Sequence, residues 1–261
     1  MPDDHNPDGD LTLGQTAIGP VTGRPDFSFG EAVSGRDLSK ALLHAAIGAN
    51  RETAQLLVTE ALESGYSAET LADQYIPAVA EELGRLWTLD ELTFVQVTIG
   101  TARLQALLRD LGPHWAGDRA AGPDAPTVLL VVHRDCQHTL GAMLAAGQLR
   151  RMGLSVRLLV GASYAEIKAS LQHSQFDAFF ISAATAASLD SSRRITEIAK
   201  DVGGPGLQVV VGGRLLVTHP DAARLIGADH GTIDPAEAVR LCGLNERPFR
   251  QTARPVRLRR V

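Results

Sequence analysis

The spacing of apolar residues divides the chain into two parts with different periods. Between residues 38 and 111, apolar residues recur every three or four positions, as in amphipathic helices. Residues suited to helix starts stand at Asp37, Asn50, Ser67, and Thr93 with Gln96. The pattern predicts four helices joined by short turns, which favours an antiparallel bundle. The third helix is expected to kink at Pro77, and the fourth is expected to end at Gly112.

The second part, residues 127–243, alternates short apolar runs with helical segments. Runs of Val, Leu and Ile without polar alternation are typical of parallel strands covered on both faces. The predicted strands are Thr127–Val132, Ser155–Val160, Ala178–Ala183, Gln208–Val211 and a weak fifth, Gly231–Ile233. Helix starts are predicted at Ser163 with Glu166, at Asp190, and at Asp234 with Pro235.

The two parts together predict an α + α/β fold class. It consists of an N-terminal four-helix bundle cap and a flavodoxin-like (Rossmann-like) five-stranded parallel-sheet domain. In such sheets, ligands bind beyond the carboxyl ends of the strands.

The net charge of -5 over 261 residues is unevenly distributed. Residues 1–37 carry seven acidic and two basic side chains, whereas residues 244–261 carry six arginines and one glutamate. The front segment is rich in Gly and Pro and has no apolar period, which predicts a disordered acidic arm. The basic tail is either a solvated end or a docking surface. Three prolines and three glycines in residues 112–126 predict a linker between the two parts.

Composition excludes several classes of protein. With 44% apolar and 21% charged residues, the chain is neither fibrous nor a disulfide scaffold. Its two cysteines favour a reducing, cytoplasmic location. No apolar run reaches the roughly 20 residues of a membrane span, so no membrane contact is expected. No nucleophile, base and orienting group can be assembled from the loops, so the sequence does not predict an enzyme.

Small and polar residues follow three of the predicted strands. They are His133–Gly141 after the first strand, Ser182–Thr185 after the third and Gly212–Arg214 after the fourth. A phosphate-receiver domain is disfavoured because Ser182 stands where its aspartate would be. Neither a G-x-G-x-x-G string nor a P-loop string occurs. What remains is a loop that presents His138, and a Gly212–Gly213 pair that allows close backbone approach to a bulky ligand.

This arrangement resembles the cobalamin-binding domain of methionine synthase and its relatives over residues 127–243. The resemblance implies that His138 is the lower ligand of cobalt in place of the nucleotide base. It also implies a set of cofactor-binding positions: Asp135, Cys136, Thr139, Gly141, Ser182, Ala184, Thr185, Gly212 and Gly213. In the helical part, Leu83–Trp87 resembles the Ile-Gly-x-x-Trp of the family's cap, which implies that Trp87 covers the upper face of the corrin.

The chain departs from the family pattern in both parts. Cys136 occupies the position of an aspartate that orients the ligand histidine, and Asp135 stands one place early. Ligation is therefore expected to be looser or to recruit Asp135. Ala184 replaces the leucine of Ser-x-Leu. Val97 and Thr98 stand where light-sensing and methyl-transferring relatives have a Glu-His pair at the upper face, which disfavours carrier chemistry.

The length, the acidic arm and the cap without Glu-His together resemble the AerR/PpaA regulators of photosynthetic bacteria. The resemblance implies a cytoplasmic antirepressor that binds hydroxo- or adenosylcobalamin and responds to light or redox state. Its partner would be a helix-turn-helix repressor of the PpsR/CrtJ type, with DNA contact only through that partner or the basic tail. Two alternatives stay open: a corrinoid carrier of a methyltransferase system, and a haem sensor of the SCHIC type with His138 or Cys136 on iron.

Overall fold

The structure is a computed structural model, and it describes residues 35–115, Gly122 and residues 124–245. The N-terminal part is a helical bundle. It consists of α1 (Gly35–Ile47), α2 (Glu52–Glu63), α3 (Ala68–Thr70), a π-helical turn (Leu71–Tyr75), α4 (Ile76–Thr88) and α5 (Phe94–Trp115). Because α3, the π-helical turn and α4 are continuous, they form the third of the four predicted helices.

Local signals account for most of the helix starts. The amide of Thr93 donates to Gln96 Oε1 at 2.9 Å, and the amide of Gln96 donates to Thr93 Oγ1 at 3.3 Å, so the predicted capping box is confirmed. Pro77 has no amide proton and crowds the carbonyl four residues earlier. The chain widens into the π-helical turn just before Pro77, where a kink was expected. The sequence predicted Asp37 as the cap before α1, but the structure places it inside the first turn of that helix.

Two contacts fix the packing of α5 in the bundle. A Cβ on Gly100 would lie 2.9 Å from Leu83 Cδ1, so a larger residue at position 100 would require the Leu83 side chain to move. Arg103 donates to the carbonyls of Ala46 and Gly48 at the end of α1. The last carbonyls of a helix have no partner within it, so Arg103 provides a donor from α5 at and just beyond the end of α1.

The second part is a parallel sheet flanked by helices. Its strands are β1 (Thr127–His133), β2 (Ser155–Ala162), β3 (Ala178–Ser182), β4 (Gln208–Gly212) and β5 (His230–Gly231). The helices are α6 (Leu140–Arg151), α7 (Tyr164–His173), α8 (Leu189–Gly203), α9 (Leu215–Thr218), α10 (Ala222–Ile226) and α11 (Pro235–Leu241). The strand order β2-β1-β3-β4-β5 is the flavodoxin-like order, which confirms the predicted fold class.

Alternation along β1 assigns the helices to the two faces of the sheet. Leu129 and Val131 are buried among residues of α7, α8 and α10. Val128, Leu130 and Val132 are buried among residues of α6 and α11. A residue's position along a strand therefore tells which of these two faces its side chain occupies.

The bundle lies on the α6 side of the sheet. Asp73, in the π-helical turn, accepts a hydrogen bond from Gln148 at 3.0 Å and pairs with Arg151, both near the end of α6. At the other end of α6, Gln105 of α5 donates to Thr139 at 2.7 Å. The bundle and the sheet domain thus form one compact unit.

Several predicted boundaries differ from the structure. Helix α5 runs to Trp115, so the predicted linker 112–126 begins inside the helix. Helix α8 begins at Leu189, after a 3₁₀ turn (Ala186–Ser188), and not at Asp190. Strand β5 has two residues, fewer than predicted. Of the predicted arm and tail, residues 35–37 belong to α1, while residues 1–34 and 246–261 lie outside the described residues. No helix in the described ranges is long and apolar enough to cross a membrane.

Candidate functional site

The loop between β1 and α6 presents the predicted cobalt ligand at the carboxyl edge of the sheet. Its first turn is closed by the amide of Cys136, which donates to the carbonyl of His133 at 2.9 Å. Asp135 and His138 are exposed, whereas Cys136 is half-buried and packs against the core on the α6 side. The imidazole of His138 is therefore accessible to a ligand, and the thiol of Cys136 contributes to packing.

The end of this loop is tied to the bundle. Thr139 is half-buried and accepts the hydrogen bond from Gln105 Nε2. Gly141, in the first turn of α6, has no atom within 4 Å of where a Cβ would stand, so the surface here is open. The sequence did not single out Gln105. The available signal was its spacing of seven and eleven residues from Thr98 and Phe94, which places all three on one face of α5.

The ends of β3 and β4 meet on the same face of the sheet as α6. Ser182 pairs with Gly212 across the two strands, and both continue the α6-side alternation of their strands. Ala184 is half-buried and Thr185 is exposed, with its carbonyl accepting a hydrogen bond from the Ser188 hydroxyl at 2.6 Å. Ser182 and Gly212 therefore lie together, on the side where the bundle docks.

The Gly212–Gly213 pair allows a close approach, but the approaching group belongs to the protein. Gly213 has a φ of 99°, and a Cβ on it would lie 2.4 Å from the carbonyl oxygen of Ala183. A Cβ on Gly212 would lie 3.1 Å from the carbonyl oxygen of Thr232. Neighbouring backbone therefore accounts for glycine at both positions, and the expectation that the pair makes room for a ligand stays a prediction.

The end of the bundle carries exposed apolar side chains, which we call the cap patch. The cap patch consists of Trp87, Leu89, Phe94, Val95 and Ile99, with Trp87 49% and Phe94 69% exposed. At the positions of the Glu-His pair, Val97 is half-buried and the hydroxyl of Thr98 donates to the carbonyl of Phe94 at 2.8 Å. Contiguous exposed apolar side chains mark a surface that a ligand or partner covers.

The register of the helices shows how far the start of α5, which carries part of the cap patch, extends along the sheet. Leu83 of α4 packs beside Gly100 of α5. Asp73 lies ten residues before Leu83 and accepts a hydrogen bond from Gln148 near the end of α6. Because Gln105 meets the residue just before α6, the second half of α5 runs along α6 and the first half extends past the carboxyl edge of the sheet. Phe94 lies about 16 Å along the helix from Gln105. The start of α5, with Phe94, Val95 and Ile99 of the cap patch, therefore extends past the edge at which His138 is exposed.

A second histidine lies on the opposite face of the same strand end. His133 follows Leu129 and Val131 on the α7 side, and it is 4% exposed. Its ring stacks on Tyr164 at 4.5 Å between centroids, and its Nδ1 lies 3.1 Å from Asp135 Oδ2. Burial lowers the pKa of His133 despite the attraction of Asp135. We predicted no role for His133, although its period of two with Leu129 and Val131 was a signal for burial.

A cavity of about 500 Å³ opens beside the pair formed by His133 and Asp135. Its lining is strongly charged and includes Asp135, Asp190, Arg193, Arg194 and Glu197. It lies toward α8, away from the cap patch and from Ser182. Asp135 thus lines this cavity, whereas Ser182 and Gly212 lie on the α6 side of the sheet.

The residues on the α6 side fit a corrinoid. His138 offers one accessible imidazole, the borderline-soft donor that suits a first-row metal. The cap patch offers an apolar cover for a flat macrocycle. An axial ligand below and an apolar surface above are what such a macrocycle requires from a protein.

Comparison with known proteins covers both parts of the chain. Residues 126–241 match the family model described as "B12 binding domain", and residues 38–111 match a second family model of the same description. The chain is 31% identical over 179 residues to the "Uncharacterized 20.5 kDa protein in bchF-crtJ intergenic region" of Rhodobacter capsulatus, which covers 69% of this chain and 93% of that protein.

Two solved structures are also similar. The monomethylamine corrinoid protein of Methanosarcina barkeri has a TM-score of 0.65 at 15% identity, over 80% of this chain and 96% of that one. A cobalamin-binding protein from Desulfitobacterium hafniense has a TM-score of 0.42 at 17% identity, over 78% and 97% of the two chains. The first of these likenesses shows a shared fold.

Proposed function

Because this chain belongs to the family of proteins with B12-binding domains, we propose that it is a cobalamin-dependent regulator of transcription. In this proposal it is a cytoplasmic antirepressor that responds to light or redox state. It has no catalytic activity of its own, and it acts on a helix-turn-helix repressor of the PpsR/CrtJ type that controls photosynthesis genes.

The observation that carries the proposal is the composition of the cap patch. Its exposed side chains are apolar, Val97 replaces one polar residue of the Glu-His pair, and the hydroxyl of Thr98 is bonded to Phe94. A carrier that exchanges a methyl group is expected to keep polar groups at the upper face. An apolar cover can instead respond to the size and charge of whatever group occupies that face, which is what a sensor needs.

Helix α5 also connects the cap patch to the loop that carries His138. His138 would be the protein's ligand to the cobalt, and Trp87 and Phe94 would cover the corrin. A bound cobalamin supplies a cobalt whose upper ligand changes with light or oxidation state. Because α5 carries both Phe94 and the Gln105 that holds Thr139, a shift of the cap reaches the loop beside His138 through a single helix. Two arrangements of cap and sheet would then differ in their affinity for the cofactor state.

The choice of partner rests on the resemblance and on one relative. The AerR/PpaA resemblance implies a repressor of the PpsR/CrtJ type, and the Rhodobacter capsulatus relative is named for the bchF-crtJ intergenic region. In the proposal, any DNA contact is made by that repressor or by the basic tail, residues 244–261.

The corrinoid carrier is the second candidate, because the monomethylamine corrinoid protein shares the fold. The fold therefore does not separate a carrier from a regulator. Cys136 in place of the orienting aspartate and Val97 at the upper face weigh against the carrier. For the haem alternative, the half-buried Cys136 leaves His138 as the accessible ligand.

The first experiment tests the cofactor and its ligand. The purified full chain is incubated with hydroxocobalamin, adenosylcobalamin or haem, and its absorption spectrum is recorded after gel filtration. We expect retention of a corrinoid spectrum, with retention strongly reduced in His138→Ala. The matched control is His173→Ala, since His173 is also exposed but lies at the end of α7, with its ring bonded to Ala169. Retention of haem alone, seen as a Soret band, would instead favour the haem sensor.

The second experiment tests the regulatory role. Binding of the loaded protein to a PpsR/CrtJ-type repressor, and release of that repressor from its operator, are measured by fluorescence anisotropy in darkness, in white light and with a reductant. The proposal requires partner affinity to change with light or reductant. A corrinoid-loaded protein whose partner affinity is the same in all three conditions would refute it. Methylation of the bound corrinoid by a dedicated methyltransferase would support the carrier.

A further inference from the structure

The carboxylate in the loop that carries His138 is paired with a different histidine, His133. Asp135 Oδ2 lies 3.1 Å from Nδ1 of His133, and the Asp135 side chain is otherwise 71% exposed. In the described part of the chain, His138 makes no hydrogen bond or ion pair with a carboxylate. The end of β1 and the loop that follows it thus contain two histidines and one carboxylate, and the carboxylate is paired with the buried histidine.

The contacts of His133 determine which of its nitrogens carries the proton. The amide of Asp135 also lies 3.4 Å from Nδ1, but that contact requires a lone pair on Nδ1, whereas the contact with the carboxylate requires a proton there. The contact with the carboxylate is shorter and involves a charge, so Nδ1 is the protonated nitrogen. Nε2 then bears a lone pair, and it is buried with no hydrogen-bond partner among the described residues.

The ring of His133 is also held in place by packing. It is 4% exposed, it stacks on Tyr164 with an interplanar angle of 26°, and Tyr164 in turn has the guanidinium of Arg194 5.1 Å from its ring centroid. A buried, stacked ring has one orientation available, so its Nδ1–H points at one place. Asp135 is the exposed member of the pair, whereas His133 is the buried one.

We propose that His133 is a positioning residue that holds Asp135 and so leaves the cobalt ligand His138 without a carboxylate partner. This inference rests on the proposed function, because it concerns how that site binds cobalt. A carboxylate that receives a proton from a ligating histidine raises the basicity of that histidine, and loss of such a partner costs about 10–100-fold in metal affinity. The chain therefore binds cobalt through a weakened His138, and the strength of this bond is set from the opposite face of the sheet.

Two substitutions distinguish the effect of the hydrogen-bond donor of His133 from the effect of its ring. His133→Phe keeps an aromatic ring against Tyr164 but has no donor for Asp135. His133→Asn keeps a donor near the position of Nδ1 but has no ring. If His133 acts by holding Asp135, the Phe variant releases the carboxylate and the Asn variant resembles the original chain. If His133 is only a packing residue, the Asn variant is the more damaged of the two.

The test is a double-mutant cycle on the full chain with hydroxocobalamin as the probe. We expect His133→Phe to lower the dissociation constant about tenfold or more, and Asp135→Asn alone to leave it within about twofold. The double variant should return to the original value, because the released carboxylate is absent. After reduction to cob(II)alamin, electron paramagnetic resonance of protein labelled with ¹⁵N-histidine reports whether an imidazole ligates cobalt. The fraction of cobalt that is ligated by an imidazole should rise only in His133→Phe.

Two outcomes overturn the inference. One is that Asp135→Asn weakens binding about tenfold in the original chain, which means that Asp135 already serves His138. The other is that His133→Phe and His133→Asn both bind like the original chain. Nitrogen NMR of the cofactor-free protein tests the pair separately: His133 should be the Nδ1–H tautomer, and Asp135→Asn should shift its Nδ1 signal. If no variant binds a corrinoid, the proposed function fails while this NMR result still decides whether the pair exists.

Discussion

Replacing Gly213 by alanine tests whether the Gly-Gly pair serves the cofactor or the protein backbone. Gly213 has a φ of 99°, in the region that residues with a Cβ avoid. Its added Cβ would stand 2.4 Å from the carbonyl oxygen of Ala183, about 0.9 Å closer than an ordinary carbon–oxygen contact of about 3.3 Å. The carbonyl is backbone and cannot rotate away as a side chain would.

The cost has two parts. Positive φ costs an alanine about 1–2 kcal/mol relative to glycine. To remove the clash, Ala183 has to move, and its amide and carbonyl are bonded to Gly212 at 2.9 Å and to Leu215 at 3.1 Å. Weakening both bonds, each with a net value of about 1 kcal/mol, adds about 1–2 kcal/mol. Gly213→Ala is therefore expected to reduce the free energy of unfolding by about 2–4 kcal/mol.

Gly153→Ala is the matched control. Gly153 has a φ of 89°, similar to that of Gly213, but no atom lies within 4 Å of the position of its Cβ. It should lose only the backbone part, about 1–2 kcal/mol. Both free energies are measured by urea unfolding followed by circular dichroism, with the midpoint compared at constant slope.

The reasoning is refuted if the two glycine variants lose the same stability. A different result, loss of hydroxocobalamin affinity in Gly213→Ala without any loss of stability, would support the expectation that the glycine pair makes room for the ligand. The prediction thus distinguishes a structural glycine from a binding glycine at the same position.

Three further predictions concern contacts between elements. Arg103→Met leaves the carbonyls at the end of α1 without their donor and should cost about 1–3 kcal/mol in urea unfolding. Asp73→Asn removes the charge that joins the bundle to α6; it should destabilise the chain more than Glu82→Gln, which breaks an exposed pair within one helix. Because burial lowers the pKa of His133, the unfolded chain takes up its proton first. The free energy of unfolding should therefore fall as the pH drops below about 6.5, and fall less in His133→Phe; equal pH dependence of the two chains would contradict this.

Signals that act within one turn of the chain could be read from the sequence. The capping boxes at Thr93 and Ser163 and the cap at Asp234 form as predicted, because donor and acceptor lie two or three residues apart. The helix that should start at Asp190 starts earlier, since the buried Ser188 bonds back to Thr185 and closes a 3₁₀ turn. That turn depends on burial, which the local sequence does not display.

Helix ends were harder to predict for the same reason. Gly112 is a plausible helix terminator, yet α5 continues to Trp115. The residues that hold this half of the helix are Leu104, Leu107, Leu108 and Leu111, all buried. Tertiary packing of these side chains outweighs the roughly 1 kcal/mol by which glycine is less favourable than alanine in a helix.

In the candidate site, too, the features set by local sequence were predictable and those set by tertiary packing were not. The sequence placed His138, Ser182 and Gly212 correctly at strand ends, because strand ends follow from periodicity. It offered no means to pair Asp135 with His133, since that pair depends on the ring of Tyr164, which lies beyond the next strand. The sequence shows that Cys136 replaces the aspartate of the motif. Only the fold shows that the neighbouring Asp135 is paired with His133. The loop between β1 and α6 is therefore controlled from both faces of the sheet: Gln105 holds its end from the bundle, and His133 holds its start from the side of α7.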